Sequence, residues 1–234
     1  MSDFRSNMDE WKVILLGEML LLGVLGKAIQ NAPDKEWLQS LINEDVFSES
    51  PLESKDQDIV TGLFHLQAWS QENCEGISDE RFIALQADYT RLFVGTGKTI
   101  IPSWESVYFN DERMLFQEQT IQVRQWYRRF GLESEKLNRE PDDHIGLELS
   151  FLSYLASLGL QALDENDHVR FEETLEAQRQ FISEHPLKWV PRWCTLVKES
   201  AETDFYRGLA FLTHGALLSI AEQLQIAMPK VASL

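Results

Sequence analysis

The sequence predicts an all-α fold. Apolar residues recur at three- and four-residue spacing through most of the 234-residue chain. No predicted element shows the strict alternation of apolar and polar residues that is typical of half-buried strands. Proline, glycine and capping residues separate the periodic stretches. We therefore predict a bundle of about nine or ten helices.

Composition supports a globular protein and restricts its partners. The chain is 44% hydrophobic and 11% aromatic, so it can bury a substantial core, as one large domain or two small ones. Its formal net charge of −17 disfavours nucleic acid and anionic lipid and favours a basic ligand such as a cationic peptide. Cys74 and Cys194 show neither disulfide-scaffold nor zinc-site spacing, which fits a reducing cytoplasm.

The amino-terminal half contains four predicted helices. The first covers residues 8–30 and ends before Pro33, which opens the second. A polar stretch at residues 43–58 separates the second helix from the third. Ser78 is the predicted N-cap of the fourth, because acidic residues follow it in the first turn, and this helix extends to Phe93.

The most apolar run, residues 13–26, is predicted to be a core helix. Glu18 interrupts the run and Lys12 and Lys27 bound it, whereas a membrane span needs about 20 apolar residues. Acidic residues before the run also argue against a secretory signal. We expect a cytoplasmic protein without stable membrane insertion.

The remaining chain divides into an ordered loop, a helix, a linker and a second helical part. Residues 94–107 lack helical periodicity, and a loop of this length in a compact domain is often functional. A helix is predicted over residues 111–130, with Gly131 just past its end. The predicted division is an amino-terminal part at residues 1–131, a linker or hinge at 132–140 and a carboxy-terminal part at 141–234. The two parts could also form one compact domain. Beyond the central helix, three more helices are expected near residues 165–184, 187–200 and 205–224.

The central helix is predicted to start at Pro141. Proline suits a first helical turn, where Asp142 and Asp143 would complement the positive end of the helix dipole. The helix would bury one stripe of its surface, formed by Ile145, Leu149, Leu152 and Ala156.

Two chemical alternatives exist for these segments. His144 and Glu148 are four residues apart, so with Asp142 and Asp143 they could form the metal site of a hydrolase. No second cluster of acids and histidines completes such a site in the sequence. Residues 95–99, which include Lys98, look like part of a phosphate loop, but Leu92 stands where its first glycine is needed.

Three segments together resemble one known family. Tyr89-Thr90-Arg91-Leu92-Phe93 ends the fourth helix, residues 101–108 form a proline-containing aromatic loop, and Glu140-Pro141-Asp142-Asp143-His144 precedes the apolar helix. This combination resembles the TorD/DmsD family of redox-enzyme maturation chaperones, and the resemblance is close over residues 89–155. Ser103, Gly97 and Tyr108 depart from the family pattern, where a second proline, an aromatic residue and a tryptophan are found.

The resemblance implies a non-enzymatic cytoplasmic chaperone with a helical TorD/DmsD-like fold. Its partners would be the twin-arginine signal peptide and the apo-form of a molybdoenzyme catalytic subunit of the DMSO- or TMAO-reductase type. It would assist cofactor insertion and proofreading before Tat export, in anaerobic respiration. The resemblance implies no resident cofactor. It leaves open a weak contact with GTP or the molybdenum cofactor, and it leaves open whether the protein is a monomer or a dimer. Carried over by position, the leader-binding residues are Tyr89, Leu92, Phe93, Pro102, Trp104, Tyr108, Glu140, Asp143 and His144.

Overall fold

The computed structural model describes residues 2–94, 101–110, 112–133 and 140–227. Within these ranges the chain forms nine α-helices, a π-helical turn at Thr90–Val94 and a 3-10 helix at Glu105–Tyr108, with no strands. The all-α prediction is confirmed. The α-helices are α1 Ser2–Gln30, α2 Lys35–Asn43, α3 Gln57–Glu72, α4 Asp79–Tyr89, α5 Glu118–Arg129, α6 Ile145–Asp164, α7 His168–Glu184, α8 Pro186–Ser200 and α9 Asp204–Gln223.

Helices from the two predicted parts pack against each other. The most extensive contacts join α1 to α6 and α3 to α9, and α6 also packs on α7 and α8 on α9. The buried apolar side chains form one cluster that draws on both parts of the chain. Residues 134–139 of the predicted linker lie outside the described residues. A hinge at 132–140 therefore stays a prediction.

The predicted helix at residues 111–130 begins later than expected. The structure places the start of α5 at Glu118, so the prediction is wrong for residues 112–117. Arg113 and Phe116 adopt positive φ angles of 54° and 60°, which an α-helix does not contain. The Asn110 side chain also holds the backbone of Met114, with Oδ1 accepting its N–H at 2.7 Å. This side-chain bond takes the place of the main-chain hydrogen bond that a helix would form here.

The central helix also starts later than predicted. Its first residue is Ile145, and His144 is the N-cap, with an extended backbone at φ −79° and ψ 132°. Pro141, Asp142 and Asp143 therefore precede the helix, because the two acids are bound to residues of other elements. The apolar stripe is as predicted, since Ile145, Leu149, Leu152 and Ala156 are all fully buried.

Two other local predictions are confirmed. The Ser78 hydroxyl accepts the N–H of Arg81 at 3.3 Å and so caps α4. Gly131 has φ +73°, the left-handed conformation expected just past the end of α5.

Two helices are long and apolar enough to cross a membrane, as judged by length and composition alone. They are Met8–Gln30 of α1 and Ile145–Asp164 of α6, so the apolar stretch of α1 is longer than the run at residues 13–26 that the sequence analysis treated as too short for a membrane span. About half of each apolar window is buried inside the protein, 50% and 56% respectively. Because α1 and α6 pack on each other, this burial favours core helices.

Glycines allow close approach at the crossing of α3 and α9. A Cβ atom added to Gly62 would lie 2.7 Å from the backbone nitrogen of Leu212 and 3.0 Å from the carbonyl oxygen of Gly208. Neither atom belongs to a flexible side chain, so the helices would have to separate.

We therefore expect Gly62→Ala to lower the free energy of unfolding by about 1–3 kcal/mol through overpacking. Gly23→Ala is the matched control, because its Cβ would meet only the Ser153 hydroxyl oxygen, at 3.3 Å. Chemical denaturation of both variants measures the difference. Equal stability of the two variants would contradict the tight crossing.

Glu18 is a buried acid in the middle of α1. Its side chain is fully buried, and its Oε2 accepts a hydrogen bond from Nε2 of Gln178 on α7 at 2.7 Å. Burial raises the pKa of Glu18 to about 7, and the bond from Gln178 offsets only part of that rise. Since the folded state holds this proton more tightly than the unfolded state, stability falls as pH rises from about 4.5 to about 7.

Glu18→Gln should remove this dependence. Relative to the variant, the wild type should lose about 3 kcal/mol of unfolding free energy between pH 4.5 and pH 7, given 1.36 kcal/mol per pKa unit. Denaturant titrations across this range measure the difference, with the exposed Glu10→Gln as the control. A constant difference between wild type and Glu18→Gln would show that Glu18 titrates normally.

Candidate functional site

A short backbone bridge joins the aromatic loop to the start of α6. The Glu105 N–H donates to the carbonyl of Asp143, and the Ile145 N–H donates to the carbonyl of Ser103, both at 2.9 Å. Trp104 and His144 face each other across this bridge. Their rings meet edge to face with centroids 5.4 Å apart. Two segments distant in sequence thereby become one site.

The Asp143 carboxylate holds three elements together. It is fully buried; Oδ2 accepts the backbone N–H of Ser106 at 2.7 Å, and Oδ1 accepts the Thr120 hydroxyl at 2.7 Å. These bonds connect the segment that precedes α6 to the 3-10 helix and to α5. Asp143 is therefore a structural acceptor in the interior.

Asp142 contacts the same face of α5 as Asp143 does. It is 1% exposed, and its Oδ2 lies 2.6 Å from Nε of Arg124 in an ion pair. The Tyr127 hydroxyl donates to the Asp142 carbonyl at 3.2 Å. Both adjacent acids thus serve tertiary contacts.

His144 caps α6 through its side chain. Its Nδ1 accepts the N–H of Gly146 at 3.1 Å, so the proton of the neutral ring is placed on Nε2 by this bond. The residue is only partly buried. An imidazole in this position can be both a helix cap and part of the surface.

Two further acids, at the bridge and in α6, have buried side chains. Glu105 Oε2 is 2.8 Å from His185 Nδ1, and Glu148 Oε2 accepts the indole N–H of Trp189 at 3.2 Å. Burial raises the pKa of Glu148 well above its usual value, and the charges of Glu105 and Asp143 raise it further. Burial also raises the pKa of Glu105, although His185 offsets part of the rise. The low-dielectric interior thus favours the protonated form of Glu148.

The first of the three segments points mostly inward. The π-helical turn buries Leu92 and Phe93, and Phe93 stacks on Trp193 with centroids 5.7 Å apart. Tyr89 is partly buried and meets Phe93 edge to face at 5.5 Å. Burial raises the pKa of Tyr89, and the charge of Glu140 adds to the rise.

The aromatic loop is fixed by its own internal contacts. Pro102 is buried, and the Tyr108 hydroxyl donates to its carbonyl at 2.8 Å. Tyr108 is partly buried, with the Arg192 guanidinium 5.8 Å from its ring centroid. Tyr108 thus lies beside a positive charge.

The nine residues carried over from the sequence fall into two groups. Leu92, Phe93, Pro102 and Asp143 are buried, whereas Tyr89, Trp104, Tyr108, Glu140 and His144 are partly buried or exposed. We define the motif surface as Tyr89, Trp104, Glu140 and His144. The sequence analysis missed the partners that hold it in place, namely Glu105, Ser106, Thr120, Arg124 and His185. Thr120 and Arg124 are four apart on one face of α5, which was the only available signal.

The geometry does not favour the metal-hydrolase alternative. Asp142, Asp143, Glu148 and His144 all direct atoms to protein partners. Among the described residues there is no group of three or more acids, histidines or cysteines that could hold a metal ion. The phosphate-loop fragment at residues 95–99 lies outside the described residues.

We expect Asp143→Ala to lower the free energy of unfolding by about 3 kcal/mol. The change leaves the Ser106 N–H and the Thr120 hydroxyl without an acceptor in the interior, and each unmet donor costs about 1–3 kcal/mol. Thr120→Val should cost less, because Asp143 keeps its bond to Ser106.

A double-mutant cycle on Asp143 and Thr120, measured by chemical denaturation, tests the contact. The two losses should be non-additive because the residues share one hydrogen bond. Strict additivity, or wild-type stability of Asp143→Ala, would contradict the structural role.

The chain is similar in sequence to known proteins of one family. The model of the family described as nitrate reductase delta subunit matches residues 58–195. The chain is 28% identical over 211 residues to the Tat proofreading chaperone DmsD of Salmonella typhi, covering 88% of this chain and 89% of that protein. It is 32% identical over 168 residues to the chaperone protein TorD of Aliivibrio salmonicida, covering 71% of each.

A solved structure from Archaeoglobus fulgidus, described as a candidate redox enzyme maturation protein, is also similar. It has a TM-score of 0.46 and 20% identity, and the match covers 84% of this chain and 91% of that one. The sequence relatives are chaperones, which supports the expectation of a non-enzymatic protein. By the family model and these relatives, the chain belongs to the nitrate reductase delta subunit family and, within it, to the TorD/DmsD chaperones.

Proposed function

We propose that the chain is a cytoplasmic chaperone that binds the twin-arginine leader of an apo-molybdoenzyme. Binding would keep the precursor from Tat export while its cofactor is inserted. The names of the relatives support a role in Tat proofreading and chaperone action. The aromatic and acidic side chains of the motif surface support the leader as the ligand.

The observation that carries the proposal is the meeting of the three segments. The bridge places Trp104 against His144, and the Ile101 N–H donates to the Leu92 carbonyl at 3.1 Å, which joins the first segment to the loop. The negative charge of Glu140 adds to the raised pKa of Tyr89. Two aromatic rings, an imidazole and an exposed carboxylate therefore share one region of the surface. A leader, with an arginine pair beside an apolar stretch, offers the complementary groups.

The expected energetics divide between these groups. Covering a large apolar side chain contributes about 1.5–3 kcal/mol, whereas an exposed ion pair contributes about 0–1 kcal/mol. Trp104 would therefore supply more affinity than Glu140, and Glu140 would mainly select for the arginine pair. The charge of −17 would also attract the cationic leader before contact.

The buried acids have a different part in this proposal. Asp143 is fully buried and bound to Ser106 and Thr120, so it would position the loop that carries Trp104. Its replacement would weaken leader binding indirectly. Variants of the motif surface are therefore the better test of direct contact.

We expect Trp104→Ala to weaken binding of a twin-arginine leader by about tenfold or more, because apolar contact is lost. Glu140→Gln should weaken it by about two- to fivefold at low salt, and less at high salt, because exposed charge pairs are screened. Isothermal titration with a synthetic leader from a molybdoenzyme of the same genome measures both effects.

Glu172→Gln is the charge-matched control, since Glu172 is exposed on α7. A leader from an unrelated exported protein controls for specificity. Unchanged affinity in Trp104→Ala and Glu140→Gln would remove the motif surface from the binding site. Failure of every molybdoenzyme leader to bind the wild type would overturn the proposal itself.

A further inference from the structure

A basic pocket lies between the 3-10 helix region and α8. It has a volume of about 470 Å³, and its lining includes Tyr108, Asn110, Arg113 and Arg192, with Phe109 and Leu196 as apolar walls. Both arginines are exposed at its edge. We call this cavity the Arg113/Arg192 pocket.

The charge of this pocket is opposite to that of the protein. The chain has a formal net charge of −17, yet the ionisable groups of the lining are two arginines and one tyrosine. Within the described ranges, neither of these two guanidinium groups forms an ion pair. Asp111 lies outside the described ranges. Most other arginines there are already matched to carboxylates: Arg91, Arg124, Arg128, Arg170, Arg179 and Arg207.

The two arginines are carried by well-supported backbone. Asn110 closes the loop beneath Arg113, because its Nδ2 donates to the carbonyls of Ser106 at 2.6 Å and Met114 at 3.1 Å. Arg192 projects from α8, with its guanidinium beside the Tyr108 ring. Guanidinium groups bind carboxylates in two-point geometry.

The border of the pocket indicates the size of the ligand. The loop that follows the 3-10 helix exposes four large apolar side chains: Phe109 at 45%, Met114 at 45%, Leu115 at 38% and Phe116 at 46%. A small inorganic anion would leave all of them in water. A peptide with acidic and apolar residues would neutralise the arginines and cover these side chains, with about 25 cal/mol gained per Å² of apolar surface buried.

From this charge and this border we infer that the Arg113/Arg192 pocket binds an acidic peptide segment flanked by apolar residues. One carboxylate of the segment lies between the two guanidiniums, and its apolar neighbours pack on the exposed loop. The ligand is distinct from the proposed leader, because the arginine pair of a leader is repelled by Arg113 and Arg192. The inference therefore stands or falls independently of leader binding.

The test uses a fluorescein-labelled peptide in which two glutamates alternate with leucine and phenylalanine, and a matched peptide with glutamine in place of glutamate. Fluorescence anisotropy of the full chain should show at least about tenfold tighter binding of the acidic peptide. Arg113→Asn/Arg192→Gln should abolish this preference. Asparagine is chosen at position 113 because it tolerates the positive φ of 54°.

The control is Lys55→Gln/Arg128→Gln, which removes the same two positive charges from exposed positions elsewhere and should keep the preference. Both double variants should bind the leader as the wild type does. The inference is overturned if neither peptide binds, if both peptides bind equally, or if the two double variants behave alike. It is also overturned if inorganic phosphate displaces the acidic peptide at equal concentration, since the pocket would then be a site for small anions.

Discussion

The geometry of the motif surface depends on the burial of one carboxylate. Asp143 accepts a backbone N–H from the 3-10 helix and a hydroxyl from α5, while its own carbonyl accepts the N–H of Glu105. The carboxylate satisfies these two buried donors, which would have no hydrogen-bond acceptor in the interior without it. The partners thus fix the path of the loop, and the loop fixes Trp104 against His144.

Buried polar pairs close enough to interact electrostatically, which we call the polar network, surround this carboxylate. Glu105 pairs with His185, Glu148 accepts from Trp189, and the negative charges of Glu105 and Asp143 favour the protonated form of Glu148. Such networks add little net stability compared with apolar packing, but they allow few alternative arrangements. We interpret the network as the framework that keeps the exposed side chains in one geometry. The exposed side chains of the motif surface can then be suited to the ligand without a change in this framework.

The helical fold and two helix-end signals were predictable from the sequence, whereas the tertiary contacts were not. Ser78 and Gly131 have local signals, and the structure places both as expected. Asp142 and Asp143 could satisfy either a helix dipole or distant donors, and only the fold shows that Arg124 and Thr120 take them. The resemblance singled out two segments that the structure joins through a backbone bridge. It did not distinguish side chains that face solvent from those that support them.

The central claim is that these segments form the leader-binding surface, with Asp143 as their support. Photo-cross-linking tests it most directly, using a leader with a photoreactive residue beside its arginine pair and mass spectrometry to locate the products. The account predicts cross-links in the described segments 101–110 and 140–146, around Trp104 and His144. Cross-links confined to distant helices such as α3 or α7, with the leader bound, would contradict it.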